Sequence, residues 1–543
     1  MESDLAPPSE AGATGEPAPA RGISLRQAAA PLTAATAVAC VALLGAVLIS
    51  RLNSRGIALT PDSFRYLGMA RTLADGHGYA SPFGPAGLPP ETGFPPLYPT
   101  LLAAADLVGV SVLRWAAWIN AAAFAALIAL VAAMVYDLSR SALATVLGAA
   151  LTLTFVPLLD VYVHVWSEPV YLVWQVLALW MLSRYNARGP RSDLTIAGVA
   201  AGLGALTRYA GLALLPAGLI VLLAARRRPL RARLVDCAAY TAISAIPLGL
   251  WLLRNTLEAS STTGRTVSYR QVHSERIHRA WNTISGWIDV LRLGSPAGLW
   301  WLVALLAVAL AIGLVWYRSF DGLRNDAGWG LVVAVVFVVV YLVFVWVSVA
   351  VAAKGVHFND RILSPLMLGL ILAGMMAGQV SWSASPARFA VPALLGLAAV
   401  VGVVHAGRLE RDVVRVSGSH QPFYVRWRSS PLISQVEALP PATVVYSNLA
   451  GPLWEVTGRH VRGLPDPRLP AGGGANPHYT AQLRSTRREL ARNHGVVVDI
   501  TGKLSRYLTA RGHWPPPAEL APQLGLAVPK GAGGDAILRP GNQ

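Results

Sequence analysis

Long apolar runs separated by short polar segments dominate the chain from residue 28 onward. A helix needs about 20 apolar residues to cross a bilayer, so the pattern predicts about 11 transmembrane helices. They cover residues 28–50, 115–136, 141–158, 167–183, 194–206, 211–225, 234–253, 299–316, 330–352, 362–380 and 389–406. The two short spans on either side of Arg208 depart most from the ideal length.

Two further segments are not predicted to be transmembrane helices. Residues 99–112 are apolar, but they are too short for a comfortable crossing and contain Asp106, so we expect a helix in the interface or one re-entering from the outer side. Residues 1–27 are rich in Pro, Ala and Glu and are predicted to be a disordered cytoplasmic tail. The apolar run that follows is too long for a signal peptide, and no convincing cleavage site comes after it.

Composition agrees with a multi-spanning membrane protein, because 54% of the residues are hydrophobic, 13% are charged and the mean hydropathy is +0.48. The net charge of +17 does not indicate nucleic-acid binding. Much of it lies in short loops, where anionic lipid head groups account for arginine clusters. Cys40 and Cys237 both fall within predicted spans, so no disulfide framework is expected.

The arginine distribution predicts the orientation. Arg21 and Arg26 precede the first span and place the amino terminus in the cytoplasm. The clusters at 184–191 and 226–233 then also fall inside, provided that residues 99–112 do not cross. Most acidic and histidine residues between the spans consequently gather on the outer face.

Residues 407–543 have a soluble composition and follow an odd number of predicted spans. Buried strands are predicted at 442–447 and 495–500, and helices at 449–457 and 478–493. This alternation predicts a small extracytoplasmic α/β domain. The fold class is therefore an all-α polytopic membrane protein with a C-terminal α/β domain, divided into residues 1–27, 28–406 and 407–543.

The outer loop at 51–114 is unusually long and polar, and its segment 60–98 is rich in Pro and Gly. Asp62 stands within it in the sequence Pro-Asp-Ser, which opens a predicted helix. The structural interpretation of this residue is a helix N-cap. The functional interpretation is an acid or base held at the membrane surface.

Several short motifs occur in a characteristic order along the chain. They are PDSFRYLGMAR at 61–71, GHGY at 76–79, PPLYP at 95–99, WSEP at 166–169, LTRY at 206–209 and DRILSP at 360–365. In this order they resemble the GT-C membrane glycosyltransferases, in particular the bacterial group similar to protein-O-mannosyltransferases and aminoarabinose transferases. The resemblance extends over about residues 30 to 500.

The resemblance implies transfer of a sugar from a polyprenyl-phosphate donor to an acceptor hydroxyl at the outer membrane face. It implies that Asp62 is the general base. Relatives carry Asp-Glu where this chain has Asp62-Ser63, so a paired-carboxylate site is not supported. The implied partners are the lipid-linked sugar, membrane lipid and an envelope glycan, glycolipid or protein acceptor, with no nucleic acid.

A second group of residues is a candidate for holding the acceptor or for completing an acidic site. It consists of Asp160, His164, Glu168 and Glu91. A carboxylate at the lipid boundary such as Glu168 is costly without a partner. Its alternative role is a helix-start acid favoured by the macrodipole. His164 and Glu168 are four residues apart, but two ligands are too few for a metal site, so no metal is predicted, although a divalent cation is compatible with the pattern.

Four basic residues are candidates for binding the donor phosphate: Arg361, Arg208, Arg254 and Lys354. Arginine forms bidentate hydrogen bonds with phosphate oxygens. Arg361 is preferred because the resembling family often has a basic residue there. The alternative for arginines at span ends is interfacial anchoring.

Other functional classes remain open at this point. A lipid or glycan transporter would also be polytopic, but here the acids cluster between spans, and no paired broken helices mark inverted repeats. A non-catalytic glycan-binding scaffold is a second alternative. A ligase or polymerase of lipid-linked glycans is the nearest enzymatic one.

Overall fold

The protein is represented by a computed structural model. It describes residues 25–85, 87–225, 228–259, 261–264, 274–288, 325–351, 358–382, 427–467, 475–502, 504, 517–527 and 535–540. The spans predicted at 299–316 and 389–406 lie outside these residues, as do most of the tail predicted at 1–27 and Lys354.

The chain up to residue 382 is helical. The helices are α1 (Leu25–Leu52), α2 (Pro61–Ala74), α3 (Leu97–Leu107), α4 (Val112–Ser139), α5 (Ala142–Thr154), α6 (Val156–Tyr162), α7 (Glu168–Arg188), α8 (Arg191–Thr207), α9 (Leu214–Ala224), α10 (Leu230–Ala259), α11 (Ser274–Ile288), α12 (Asp326–Val351) and α13 (Asp360–Trp382). A 3-10 helix, Tyr209–Ala213, joins α8 to α9.

Among the described residues, five helices are long and apolar enough to cross a membrane, or six if one bent pair forms a single span. A mostly helical protein with several apolar spans is therefore confirmed, whereas the count of 11 is not. The predicted spans around Arg208 correspond to α8, with 17 residues, and α9, with 11, which are short for a crossing. Helix α3 has 11 residues, about 16 Å of helix, which agrees with its predicted non-crossing role.

The span predicted at 141–158 is broken. Helices α5 and α6 meet at Phe155 with a bend of 60°. Pro157 occupies the first turn of α6, where its missing N–H costs nothing but prevents a continuous helix with α5. The bend directs the chain into the loop that contains His164 and leads to Glu168, the first residue of α7.

That loop is fixed to the segment following α1. The N–H of Ala58 donates to the Val163 carbonyl at 2.8 Å, and the N–H of Val165 donates to the Ala58 carbonyl at 3.1 Å. Asn120 of α4 donates from Nδ2 to the Tyr162 and His164 carbonyls, both at 2.8 Å. These bonds hold the loops before α2 and before α7 side by side.

The opposite ends of the helices share a charged network. Asp137 of α4 pairs with Arg184 and Arg188 of α7, and Arg188 also pairs with Asp326 of α12 at 2.5 Å. Helix α7 has 21 residues, so this network lies about 30 Å from Glu168. The arginine-rich ends thus lie on the face away from Asp62 and Glu168.

The described C-terminal residues contain a small mixed sheet and four helices. The strands are β1 (Val445–Ser447), β2 (Val461–Gly463), β3 (Val496–Asp499), β4 (Leu526–Ala527) and β5 (Ala536–Pro540), in the order β2-β1-β3-β5-β4. The helices are α14 (Pro431–Glu437), α15 (Ala450–Thr457), α16 (Tyr479–Arg492) and α17 (Pro517–Leu524). Strands β1, β2 and β3 are parallel, and β5 runs antiparallel to β3. The two strands and two helices predicted within residues 442–500 are confirmed.

This C-terminal sheet packs directly on the loop that follows α2. The N–H of Gly463 donates to the Phe83 carbonyl at 3.1 Å, and the Tyr446 hydroxyl lies 3.2 Å from the Pro85 carbonyl. A methyl group at Gly451 of α15 would lie 2.7 Å from Cβ of Phe64, so α15 rests closely on α2. The C-terminal residues therefore support the helix that carries Asp62.

Candidate functional site

Helix α2 begins with a cap formed by Thr60 and Ser63. Thr60 is the N-cap residue and Pro61 is in the first turn. The N–H of Thr60 donates to Ser63 Oγ at 3.0 Å, and Ser63 Oγ lies 3.0 Å from the Val165 carbonyl, to which it donates. The interpretation of Asp62 as the N-cap is therefore wrong, since Asp62 lies two residues past the cap.

Asp62 instead forms an ion pair across the molecule. Its Oδ2 lies 2.6 Å from Nη1 of Arg361, the second residue of α13. The Nε of the same guanidinium lies 2.5 Å from Oε1 of Glu168. Arg361 thus bridges two carboxylates at the starts of two helices, α2 and α7, and the structure brings together three residues that the sequence singled out.

The local sequence of α13 explains how Arg361 is held. Pro365 has no N–H to donate to the Arg361 carbonyl four residues earlier, and Ser364 Oγ donates to that carbonyl instead, at 2.8 Å. The side chain of Asn359 accepts the N–H of Ile362 at 3.0 Å and caps the helix. The Asp-Arg-Ile-Leu-Ser-Pro motif therefore fixes the backbone at the start of α13.

The ring of Trp166 packs against the guanidinium group of Arg361. Arg361 Cζ lies 4.6 Å from the centre of the Trp166 ring, a distance typical of a cation–π contact. Trp166 Nε1 donates to Thr60 Oγ1 at 2.9 Å. The ring therefore connects the cap of α2 to the cation that holds Asp62.

Glu168 is the most buried charged group of the site, with 0% of its side chain exposed. It is the first residue of α7, where the helix dipole favours a carboxylate. Besides Arg361, Nη1 of Arg208 lies 2.6 Å from Glu168 Oε1. Two arginines balance Glu168 and Asp62, so the four side chains are together neutral.

Arg208 has hydrogen-bond donors that the described residues do not satisfy. Its Nε and Nη1 form no geometrically acceptable hydrogen bond within the described part of the chain, although Nη1 is within ion-pair distance of Glu168. A close approach of the backbone sets its position, since a Cβ at Gly211 would lie 2.4 Å from the Gly204 carbonyl oxygen. A buried guanidinium with unsatisfied N–H groups is suited to an incoming anion.

Tyr66 extends the site along α2. It lies four residues after Asp62, on the same helix face, and its hydroxyl is 3.1 Å from Ser167 Oγ. Burial raises the pKa of Tyr66 above its ordinary value, so the phenol stays protonated. The ring packs edge-on against Phe94 and Tyr98.

Glu91 lies in a separate ion pair with Arg65. Both carboxylate oxygens are 2.7 Å from Arg65 Nη2, and Glu91 Oε1 also accepts the N–H groups of Thr92 and Gly93. Its two oxygens are thus occupied by local donors. The ion pair of Glu91 with Arg65 therefore holds the loop that contains Glu91 against α2.

Arg254 of α10, like Arg65, binds groups of the outer loop. Its Nη1 and Nη2 each lie 3.2 Å from a backbone carbonyl, of Glu91 and Tyr79 respectively. It also pairs with Glu258 and stacks over the Trp251 ring, 5.1 Å from its centre. These contacts tie the outer loop to α10, whereas Lys354, the fourth basic candidate, lies outside the described residues.

His164 and Asp160 interact with each other. His164 Nδ1 lies 2.7 Å from the Asp160 carbonyl, and its ring stacks on Trp166 with centroids 3.9 Å apart. Burial lowers the pKa of His164 to about 4, so the ring is neutral at physiological pH. Among the residues that the structure describes, no three His, Cys, Asp or Glu side chains are grouped to hold a metal ion.

The depressed pKa of His164 predicts a pH-dependent stability. The folded form, with a pKa of about 4, binds a proton more weakly than an unfolded histidine with a pKa of about 6.5. The contribution of His164 to stability is therefore complete above about pH 6.5 and is lost as the pH falls toward 4. In thermal denaturation at pH 7 and pH 4.5, His164→Gln should lose less of its apparent Tm on acidification than the wild type. Equal losses in both proteins would contradict a buried neutral ring.

Sequence reasoning missed three residues of the site: Tyr66, Trp166 and the Arg65 partner of Glu91. Helical spacing contained a signal for two of them, because Arg65 and Tyr66 follow Asp62 by three and four residues and so share its face. Trp166 lies within the motif that ends at Glu168, but only the fold shows that its ring contacts Arg361.

Part of the chain is similar in sequence to a known protein family. A family model described as dolichyl-phosphate-mannose-protein mannosyltransferase matches residues 95–251. No curated protein matches the chain by sequence.

The fold is similar to that of ArnT from Cupriavidus metallidurans in the apo state, with a TM-score of 0.58, 14% identity, and coverage of 95% of this chain and 100% of that chain. The structure of the same protein bound to undecaprenyl phosphate gives a TM-score of 0.57 and 15% identity, with the same coverage. At this identity the likeness concerns the fold. With the family match, it confirms the resemblance inferred from the motifs.

Proposed function

Given a family match and a fold that both lead to the GT-C membrane glycosyltransferases, we propose that this chain transfers a sugar from a polyprenyl-phosphate donor to an acceptor hydroxyl at the outer membrane face. The observation that carries the proposal is the position of Asp62. Its carboxylate stands in the first turn of α2, two residues after the N-cap residue Thr60 and 2.6 Å from an arginine that also holds buried Glu168.

The proposed reaction is a single displacement at the anomeric carbon. The acceptor oxygen attacks that carbon, Asp62 takes the hydroxyl proton, and the bond between the anomeric carbon and the phosphate oxygen breaks. Its electron pair leaves with the polyprenyl phosphate. The reaction therefore needs one base on the acceptor side and positive groups on the leaving-group side.

Arg361 and Arg208 supply the positive groups. Arg361 uses Nη1 and Nε for Asp62 and Glu168, and Arg208 has Nε available. Charge-assisted hydrogen bonds from guanidinium groups are about twice as strong as neutral ones, and they strengthen as charge develops on the leaving phosphate. Because Asp62 Oδ2 is engaged by Arg361, we expect the donor phosphate to draw Arg361 away from Asp62 before proton transfer.

Glu168 then has a positioning role. It holds the two arginines side by side from a site with 0% exposure. A buried carboxylate is stabilised only by such partners, so each arginine and Glu168 fix one another. The acceptor, an envelope glycan, a glycolipid or a protein, would approach Asp62 from the exposed side of α2.

Gene deletion followed by mass spectrometry of envelope glycans and polyprenyl-phosphate sugars tests this function. Loss of the protein should cause one lipid-linked sugar to accumulate and one glycosidic linkage to disappear. The accumulated lipid identifies the donor and the missing linkage identifies the acceptor. An unchanged lipid-linked sugar pool together with unchanged glycans would refute the proposal.

The outer-face location makes a separate prediction about topology. In a variant without Cys40 and Cys237, a cysteine at exposed Ala74 of α2 or exposed Ser434 of α14 should react with an impermeant thiol reagent in intact cells. A cysteine at exposed Ser192, at the arginine-rich end, should react only after permeabilisation. The reverse pattern would place Asp62 on the cytoplasmic face.

A further inference from the structure

A cavity of about 480 Å³ lies where α1 ends and α4 begins. Its lining includes Arg55, Arg114, Arg428, Asn53 and Trp118. It is on the same end of the helices as Asp62, but none of the four charged residues that meet around Glu168 lines it.

The cavity is positively charged. Three of its lining residues are arginines, one from each of three separate parts of the chain, and none of the lining residues is acidic. Arg55 and Arg114 are exposed, and neither forms an ion pair with a described residue. Two guanidinium groups that line one cavity without a carboxylate partner among the described residues, those of Arg55 and Arg114, are suited to a phosphate group.

A buried acceptor group adds a second, independent sign of a ligand. Asn53 is only 7% exposed, and its Nδ2 donates to the Tyr162 carbonyl at 3.2 Å. That bond fixes the orientation of the amide, and its Oδ1 has no hydrogen-bond partner within the part of the chain that the structure describes. Buried polar atoms are nearly always satisfied, so a hydroxyl or amine donor of a bound molecule would complete the site.

The surroundings of the cavity are suited to a lipid. Trp118 is 50% exposed, and a tryptophan at this level is typical of the membrane interface. Below the cavity, Leu44 and Val47 of α1 are 56% and 46% exposed on an apolar surface. Acyl or prenyl chains can follow this surface while the head group stays among the arginines.

We infer that this cavity binds the phosphate head group of a membrane lipid, at a site separate from the one around Asp62. The phosphate lies between Arg55 and Arg114, and a head-group hydroxyl or amine donates to Asn53 Oδ1. Segment 53–58 leads from the cavity to the Ala58 hydrogen bonds with the loop before α7. Lipid binding would therefore stabilise the chain directly before Thr60 and Asp62.

Native mass spectrometry of the purified full chain tests this inference. In an equimolar mixture of phosphatidylglycerol and phosphatidylcholine, the wild type should retain one phosphatidylglycerol in preference to phosphatidylcholine. The double variant Arg55→Gln/Arg114→Gln should lower its retention about tenfold, a loss of about 1.4 kcal/mol. The matched control is Arg51→Gln, which removes an exposed charge from the same helix end without touching the cavity and should retain the lipid.

A parallel incubation with undecaprenyl phosphate distinguishes the two sources of a lipid phosphate. Loss of phosphatidylglycerol alone in the double variant assigns the cavity to a glycerophospholipid, and loss of undecaprenyl phosphate alone assigns it to the polyprenyl carrier. Equal retention of both lipids by the wild type and the double variant overturns the inference. If the double variant does not fold, photoactivatable phosphatidylglycerol must crosslink the wild type within residues 50–57 or 113–118, and crosslinks elsewhere only would also overturn it.

Discussion

Replacing Asp62 with asparagine is expected to lower the turnover number by about 10²–10⁴-fold, the contribution of a general base. Asparagine keeps the shape of the side chain but cannot accept a proton at neutral pH. Because Thr60 caps α2, neither Asp62→Asn nor Asp62→Ala removes the helix cap. Expression, thermal stability and donor binding should therefore stay close to those of the wild type, and steady-state kinetics with purified protein measure the difference.

Asp75→Asn is the matched control for this experiment. Asp75 follows the same helix and forms an exposed ion pair with Arg71 at 2.9 Å, far from Arg361 along α2. Its replacement should leave turnover unchanged. A normal rate for Asp62→Asn would mean that the base must be sought at Asp160 or Glu168.

Replacing Arg361 with alanine is expected to lower kcat/KM for the lipid-phosphate donor. The decrease should correspond to a free-energy loss of about 2–4 kcal/mol, the range for removing one partner of a buried charge pair. Among the described residues, the substitution leaves Arg208 as the remaining cation beside Glu168, and it removes the guanidinium group that pairs with Asp62. Arg361→Lys should restore only part of the loss, because lysine cannot bridge Asp62 and Glu168 with a planar fork.

Arg71→Ala provides the control for loss of an arginine from this face. The Arg71 side chain is 65% exposed, and among the described residues it pairs only with the surface carboxylate of Asp75, so its replacement should not change donor kinetics. Thermal denaturation of Arg361→Ala separates a folding defect from a donor defect. Unchanged donor kinetics in a folded Arg361→Ala protein would reassign Arg361 to anchoring at the membrane interface.

The hydrophobic pattern was sufficient for the class of fold and for several elements. Apolar runs predicted the helices, and runs of valine predicted β1 and β3. The number of spans was not predictable in the same way. Segments such as 194–206 and 211–225 are apolar enough to suggest spans, but Arg208 and the close contact between Gly204 and Gly211 make them a short, sharply turned pair.

The candidate site was predictable as a set of residues but not as a set of contacts. Motifs pointed to Asp62, Glu168 and Arg361, which lie up to 299 positions apart in sequence and meet in space. Local sequence patterns contain no information on such pairs. For that reason, the ion pair of Glu91 with Arg65 and the hydrogen bonds of Arg254 to the outer loop could not be predicted. The cap was predictable, since proline in the first helical position places the N-cap at the preceding residue, Thr60.

The most direct test of the central proposal uses the lipid-linked sugar that accumulates in a deletion strain. Purified wild-type protein, supplied with that lipid and the matching acceptor, should release free polyprenyl phosphate and form one new glycosidic bond for each lipid consumed. Asp62→Asn should bind the lipid but release polyprenyl phosphate about 10²–10⁴ times more slowly. A wild-type protein that binds or moves the lipid while leaving its sugar–phosphate bond intact would contradict the proposal and favour a transporter.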